Sequence, residues 1–280
     1  MNRKSLRIGL ILIVLFAIWG DTTDSSARNR VPRQAEGEYD VFLLIGQSNM
    51  AGRGTMLPQD TTVLEQVWLL DESGIPVPAS NPLNKYSTVR KGLEMQQTSP
   101  GTMFGKTVAQ KTGRKILLVV NALGGSNIKS WMKDSPAIKD KYSIGYDTLQ
   151  LYSEAVRRAR QAMKYGTLRG ILWHQGESNS GNPQEYRIYL KRLAADLRKD
   201  LGARKIPFIA GELGYWQPSH KGFNEMIRTI GTFIPNSDYV SARDAGYLIN
   251  REDPHFSREG QFLLGKRYAE KILEIVYGIK

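Results

Sequence analysis

The chain has 280 residues, of which 41% are apolar, so it can bury a full hydrophobic core without covalent cross-links. It contains no cysteine, which excludes disulfides, thiolate nucleophiles and zinc–thiolate sites. Its formal net charge of +12 would suit nucleic acid, but no arginine-rich arm or nucleic-acid motif accompanies the charge, so anionic glycans or no specific partner fit better.

The first residues have the pattern of a targeting segment. Basic residues precede the apolar run Ile8–Trp19, which is shorter than the ~20 residues of a membrane span, and Ser25–Ala27 offers a small-residue cleavage site. We therefore expect a signal peptide over 1–27, a flexible lead-in over 28–39 and one domain over 40–280. The protein would then be secreted or periplasmic, without stable membrane association after cleavage; an uncleaved anchor is the alternative.

Strands and helices alternate along the rest of the chain, punctuated by glycine and proline. Predicted strands lie at 41–45, 67–70, 75–77, 116–120, 170–173, 207–210 and 239–242, the second and third as a short inserted hairpin. Predicted helices lie at 103–111, 148–165, 185–201, 224–233 and 261–277. This alternation predicts an α/β fold with three layers, in which helices cover both faces of a parallel sheet of about five strands.

The most informative stretch begins with the buried strand Val41–Ile45. Gly46 permits a sharp turn after it, and Ser48 then lies at the carboxyl end of the strand, where open α/β sheets bind ligands. Gln47 and Asn49 flank the serine with amide side chains that can donate hydrogen bonds to an oxyanion or a substrate. The pattern G-x-S-x-G is not met, because its fifth position is methionine, which argues against an α/β-hydrolase elbow.

Four blocks in order, taken together, resemble one branch of the SGNH hydrolases, the sialate O-acetylesterase-like and carbohydrate esterase family 6 domains. The blocks are GQSNMAG at 46–52, NALGGSNIKSW at 121–131, WHQGESN at 173–179 and DPHFSREGQFLLGKRYA at 253–269. The resemblance implies a three-layer fold and ester hydrolysis by a serine nucleophile without a cofactor. Independently of it, the first three blocks follow predicted strands, so they can converge at one edge of the sheet.

A serine nucleophile needs a base, and the chain has only three histidines. His255 lies beside the carboxylates of Asp253 and Glu252, as a serine–histidine–acid mechanism requires, and the resemblance points to His255 as the base. His220 lies in a polar loop and is predicted to be at the surface. His174 lies inside a buried strand and is predicted to be structural.

Three carboxylates compete to orient this histidine: Asp253, Glu252 and Glu177. SGNH enzymes usually place an aspartate three residues before the histidine, whereas this chain has Glu252 there and Asp253 only two residues before. Pro254 favours an extended backbone at Asp253, and residues two apart in an extended segment point to the same side. We therefore expect Asp253 to be the main partner, supported by Glu177 from another strand end.

The resemblance also implies three oxyanion donors: the N–H of Ser48, the N–H of Gly124 or Gly125, and the side-chain amide of Gln175. Trp131, in a loop block, is the tryptophan expected to line a sugar-binding cleft, although tryptophans are more often core residues. Two scattered candidate ligands, one histidine and one glutamate, do not predict a metal site.

These observations predict an exported carboxylic ester hydrolase that removes O-acetyl groups from a carbohydrate. Acetylxylan, another acetylated glycan and O-acetyl sialic acid all remain open as substrates. Two alternatives are a lipase or phospholipase with the same triad, and a glycan-binding protein that keeps the fold without turnover.

Overall fold

A computed structural model describes residues 38–144 and 148–280, so the predicted signal peptide and nearly all of the lead-in lie outside the described residues. The strands are β1 (Tyr39–Gly46), β2 (Val67–Leu70), β3 (Pro76–Pro78), β4 (Ile116–Ala122), β5 (Gly166–His174), β6 (Phe208–Gly211) and β7 (Ser237–Val240). The helices are α1 (Ser48–Ala51), α2 (Pro100–Thr112), α3 (Leu151–Ala162), α4 (Pro183–Asp200), α5 (Lys221–Arg228) and α6 (Arg258–Ile272). Within the described residues, no helix is long and apolar enough to span a membrane.

The seven strands form one sheet in the order β3-β2-β4-β1-β5-β6-β7, which confirms the predicted fold class. All neighbouring strands pair in parallel except β2 and β3, which form the predicted hairpin. The estimate of about five parallel strands is one too low, because β2 does not stand apart as an insertion but continues the sheet beside β4.

The central strand β1 shows why the fold has three layers. Its successive side chains point to opposite faces, as in any strand. Val41, Leu43 and Ile45 pack into the core that α3, α4 and α5 cover, whereas Phe42 and Leu44 pack into the core under α2 and α6. A strand buried on both faces must be apolar throughout, which explains the unbroken run in the sequence.

The sheet also determines where the sequence blocks that follow β1, β4 and β5 meet. Because β1 lies between β4 and β5, the loops after these three strands start side by side, with Gly46 in register with both Ala122 and His174. Gly46 has a φ of 142°, and a Cβ there would lie 2.1 Å from the carbonyl oxygen of His174. Only glycine therefore allows the chain to leave β1 against β5 and enter the loop that carries Ser48.

Candidate active site

Ser48 is the first residue of α1, which begins directly after β1. The serine is 6% exposed and lines a cleft of about 460 Å³ at the carboxyl edge of the sheet. Sequence reasoning places Ser48 in a loop; the structure instead starts a single helical turn there. The N–H groups at the beginning of a helix have no acceptor within it, so the N–H of Ser48 can bind an oxyanion.

His255 and Asp253 form a close pair at the same cleft. The Nδ1 atom of the imidazole lies 2.7 Å from Oδ1 of Asp253, which also accepts the backbone N–H of His255 at 2.9 Å. The side chain of Asn250 accepts the backbone N–H of Asp253 at 3.1 Å, and the indole of Trp216 donates to the carbonyl oxygen of Asp253 at 2.8 Å. The carboxylate is therefore held in place, and the imidazole that donates from Nδ1 keeps Nε2 as a base.

Burial governs the protonation of this imidazole. It lowers the pKa of His255 below its ordinary value of 6.5, although Asp253 acts in the opposite direction. The charge of Arg53 lowers the same pKa further. His255 is therefore neutral at neutral pH, the state that a general base requires.

Asn49 is predicted to bind substrate, but in the structure its side chain does not line the cleft. Its side chain is fully buried, and its amide donates to Oε1 of Glu177 and to the carbonyl oxygen of Pro254. Its oxygen accepts from the backbone N–H of Phe256 and from the Gln261 amide, each at 3.1 Å. Asn49 thus binds the backbone on both sides of His255 and ties that loop to α1.

Glu177 supports the histidine indirectly, through Asn49, and forms no hydrogen bond to the imidazole. It lines the cleft, yet its Oε2 atom is buried without a hydrogen-bond partner among the described residues. Burial raises the pKa of this carboxyl to about 7. Glu252, the third competing carboxylate, has an exposed side chain, and its contact with Gln217 is through its backbone carbonyl.

Gln175 is predicted to donate to an oxyanion, but in the structure its side chain does not line the cleft. Its side chain is fully buried, and its Nε2 atom already donates to Oε1 of Gln47 at 2.9 Å and to Oδ1 of Asn179 at 2.8 Å. An amide nitrogen has two hydrogens, so none is left for an oxyanion. Gln47, in contrast, lines the cleft, and because its oxygen accepts the bond from Gln175, its own nitrogen stays available as a donor.

Gly124 and Gly125 also line the cleft, where the loop after β4 passes Ser48. A Cβ at Gly124 would lie 3.5 Å from Cβ of Ser48 and 2.5 Å from Nη2 of Arg53. The absence of a side chain at Gly124 leaves space for the guanidinium of Arg53 beside Ser48, and the N–H of Gly124 can contribute to an oxyanion site. Sequence reasoning did not identify Arg53; its only signal was a charged residue immediately after the GQSNMAG block.

Three further side chains have expectations from the sequence that can be compared with the structure: Trp131, His220 and His174. Trp131 is fully buried, donates to Ser126 at 3.0 Å and stacks edge-on against Trp173, so its predicted contact with sugar is wrong. His220 is buried rather than at the surface, with Nδ1 3.0 Å from the carbonyl oxygen of Gly214. His174 is fully buried, as predicted, and burial lowers its pKa to about 3.

The chemistry of the cleft lining limits what it can bind. Apart from two glycines, Met95 and Pro254, the lining side chains are polar or charged: Gln47, Ser48, Arg53, Lys91, Glu177, Ser178, Gln217, Glu252 and His255. Such a surface offers many hydrogen bonds and little apolar area for a long acyl chain. In the part of the chain that the structure describes, no group of three or more potential ligands could hold a metal ion.

The family model described as "Carbohydrate esterase, sialic acid-specific acetylesterase" matches residues 38–274. A probable carbohydrate esterase of Arabidopsis thaliana is 25% identical over 256 residues, which cover 83% of this chain and 90% of that protein. Its X-ray structure superposes with a TM-score of 0.72 at 24% identity, over 85% of this chain and 99% of that one. A carbohydrate acetylesterase from Xanthomonas citri has a TM-score of 0.61 at 19% identity, over 85% of this chain and 57% of that chain.

Proposed function

Because the chain belongs to the carbohydrate esterase, sialic acid-specific acetylesterase family, it is a carboxylic ester hydrolase, and we propose that it removes O-acetyl groups from a glycan with Ser48 as nucleophile. The observation that carries this proposal is the 2.7 Å pair of His255 and Asp253 at the cleft that Ser48 lines. An oriented, neutral imidazole that lines the same cleft as a serine at the start of a helix provides the groups that acyl transfer needs.

In the first step, Oγ of Ser48 attacks the acetyl carbonyl carbon while Nε2 of His255 takes the hydroxyl proton. The carbonyl electron pair moves onto oxygen, which accepts hydrogen bonds from the N–H groups of Ser48 and Gly124 and the amide of Gln47, all residues that line the cleft. Collapse of this intermediate expels the sugar oxygen, which receives the proton from His255. The acetyl group is then bound to Ser48 as an ester.

In the second step, water repeats the sequence on the acetyl-serine. His255 removes a proton from the water, whose oxygen bonds to the acetyl carbon, and the proton returns to Oγ of Ser48 as acetate leaves. Asp253 stabilises the imidazolium that forms twice per turnover. The rigid placement of Asp253 by Asn250 and Trp216 supports this role.

The polar lining favours a sugar over a lipid as the alcohol that leaves. Sugars present many hydroxyls to hydrogen-bonding side chains, and an acetyl group needs little apolar space. The lipase alternative would need a larger apolar pocket beside Ser48 than Met95 and Pro254 offer. The matched family, by its description, includes sialic acid as a candidate sugar, and acetylated plant polysaccharides remain candidates beside it.

We further propose that the protein acts outside the cytoplasm, where acetylated glycans occur. The support is the sequence pattern alone: a basic start, a short apolar run and small residues near Ala27. Mass spectrometry of exported protein should find a chain that begins near Arg28. Exported protein that still carries residues 1–27 would favour an anchor.

The activity is tested by acetate release from acetylxylan, O-acetyl sialic acid and other acetylated glycans, with aryl acetate and aryl octanoate esters for comparison. We expect acetate esters to be cleaved and octanoate to be a poor substrate. Ser48→Ala should reduce kcat by roughly 10⁴-fold. Ser178→Ala is the matched control, because this exposed serine lines the same cleft and its hydroxyl contacts only the carbonyl of Gly125, at 3.4 Å.

Near-normal acetate release by Ser48→Ala would refute the serine mechanism. Faster cleavage of octanoate than of acetate would favour the lipase alternative. Tight binding of an acetylated glycan with no acetate release by the wild type would favour the non-catalytic alternative.

A further inference from the structure

Arg53 is held rigidly at the wall of the cleft by the backbone. Its Nη1 atom donates to the carbonyl oxygens of Gly52 at 2.7 Å and Met95 at 2.8 Å. Two bonds from one nitrogen fix the plane of the guanidinium, so the direction of its other nitrogen is set before any substrate binds.

The second nitrogen, Nη2, lies close to Gly124 and Ser48. It lies 2.5 Å from the point where a Cβ of Gly124 would be, and Cβ of Ser48 lies 3.5 Å from the same point. The guanidinium therefore occupies the space that a side chain at position 124 would fill, next to Ser48. Among the hydrogen bonds of the described residues, none uses Nη2 of Arg53.

The charge of Arg53 is not neutralised by the protein. No ion pair within residues 38–144 and 148–280 involves it, although Glu177 and Glu252 line the same cleft; Glu177 bonds to Asn49 instead. Lys91, the other cation of the lining, lies 3.3 Å from Asp140 and so has a counter-ion. Burial lowers the pKa of Arg53 to about 10, which still leaves it charged at neutral pH.

A partly buried cation such as Arg53, without a partner among the described residues, costs free energy, and such groups are kept where negative charge arrives during function. The one place in the cleft where the proposed reaction creates negative charge is the carbonyl oxygen of the ester attacked by Ser48.

We propose that Arg53 is a catalytic residue whose Nη2–H donates to the oxyanion of the tetrahedral intermediates formed on Ser48. The inference rests on the proposed esterase function. No proton is transferred: the guanidinium stays charged while the carbonyl electron pair moves onto oxygen and then returns. The backbone bonds to Nη1 hold the donor in place, so no reorganisation is needed as the charge develops.

The test compares Arg53→Gln with Arg267→Gln on 4-nitrophenyl acetate and on an acetylated neutral glycan. Loss of one oxyanion donor typically costs about 10²–10³-fold in kcat, so we expect that loss for Arg53→Gln on both substrates with little change in KM. Arg267→Gln should stay within a few-fold of wild type, because Nη1 of Arg267 also donates to two backbone carbonyls, those of Ser241 and Arg243, but this arginine does not line the cleft. Arg53→Lys should recover at least about tenfold over Arg53→Gln, because it restores the charge.

Thermal unfolding checks that each variant is folded, and Arg53→Met is a second uncharged variant if the glutamine variant does not fold. Near-wild-type kcat in the folded uncharged variant would overturn the inference while leaving the esterase proposal intact. A rise in KM confined to acetylated acidic sugars, with kcat unchanged on 4-nitrophenyl acetate, would also overturn it and assign Arg53 to a substrate carboxylate. Absence of acetate release by the wild type would instead refute the proposed function.

Discussion

Asp40 and Glu177 are carboxylates at opposite ends of the central sheet, and the protein treats them differently. Asp40, near the start of β1, is fully buried and surrounded by compensating groups. Arg114 and Arg169 both form ion pairs with it, and the hydroxyl of Tyr277 donates to it at 2.8 Å. Its charge is therefore balanced where it lies.

Glu177, beyond the end of the neighbouring strand β5, has no cation within hydrogen-bonding distance among the described residues. Its carboxyl accepts one bond from Asn49, and burial raises its pKa to about 7. Arg53, in the same cleft, is the reverse case, a cation without a carboxylate. At the end of the sheet that carries Asp40, the protein neutralises the buried charge. At the end proposed to carry the chemistry, Glu177 and Arg53 have no ionic partner among the described residues, at a cost in stability.

The largest expected effect is a loss of catalysis at the end of the sheet that carries Ser48. Asp253→Asn should lower kcat by roughly 10³–10⁴-fold, because an amide cannot stabilise the imidazolium and favours the wrong tautomer of His255. Folding should be preserved, since the amide is isosteric with the carboxylate. Steady-state kinetics on an aryl acetate, with thermal unfolding as a check, measure both.

Glu252→Gln is the control for this variant, because Glu252 is adjacent to Asp253 but its side chain is exposed. It should keep kcat within a few-fold of wild type. If Asp253→Asn instead kept full turnover while Glu177→Gln lost several orders of magnitude, Glu177 would be the triad acid.

The second effect is a loss of stability at the end of the sheet that carries Asp40. Asp40→Asn should lower the free energy of unfolding by about 3 kcal/mol, because it leaves two arginines beside a buried neutral group. The estimate lies at the lower limit because both arginine side chains are 30% exposed, so water can solvate them in part. Denaturant unfolding measures the loss. The remaining folded fraction should keep wild-type kcat, and a selective fall in kcat would contradict the division between the two ends.

The third effect is a dependence of stability on pH that arises from Glu177. The folded-state pKa of Glu177, about 7, is above its unfolded value of about 4.5, so the native state holds a proton that the unfolded state releases. The resulting stability is present below pH 4.5 and is lost as pH rises through 7. Glu177→Gln removes this dependence, and its neutral amide can still accept the bond from Asn49.

Glu177→Gln should therefore unfold with a free energy about 3 kcal/mol higher than wild type at pH 8, and similar to wild type at pH 4.5. Denaturant titrations at the two pH values measure this difference. An equal effect of the substitution at both pH values would show that Glu177 is not protonated preferentially in the native state.

The smallest effect concerns the base itself. Because burial lowers the pKa of His255, the acid limb of kcat/KM should have its midpoint below pH 6.5, with activity lost as pH falls through it. A pH–rate profile on a substrate that does not itself ionise measures the midpoint. A midpoint above 6.5 would mean that the pairing with Asp253 outweighs burial.

The order of strands and helices, the two-faced burial of β1 and the meeting of three blocks at one sheet edge could all be predicted from the sequence. These features depend on local patterns: apolar runs for buried strands, glycine where the chain turns, and the rule that parallel strands end at the same edge. The pairing of His255 with Asp253 was also accessible, since both residues lie in one extended segment whose side chains alternate.

Only the tertiary structure decided which polar side chains face the cleft. Asn49 and Gln175 looked like donors for a substrate, but partners in the folded chain take up their hydrogen bonds: Glu177 for Asn49, and Gln47 and Asn179 for Gln175. Trp131 lies in a loop block yet packs against Trp173. Arg53 carried no interpretable signal, because its proposed role depends on the space beside Gly124, in the loop after β4. Sequence pattern fixes which face of an element is apolar, whereas the use of a polar group depends on long-range partners that no local pattern contains.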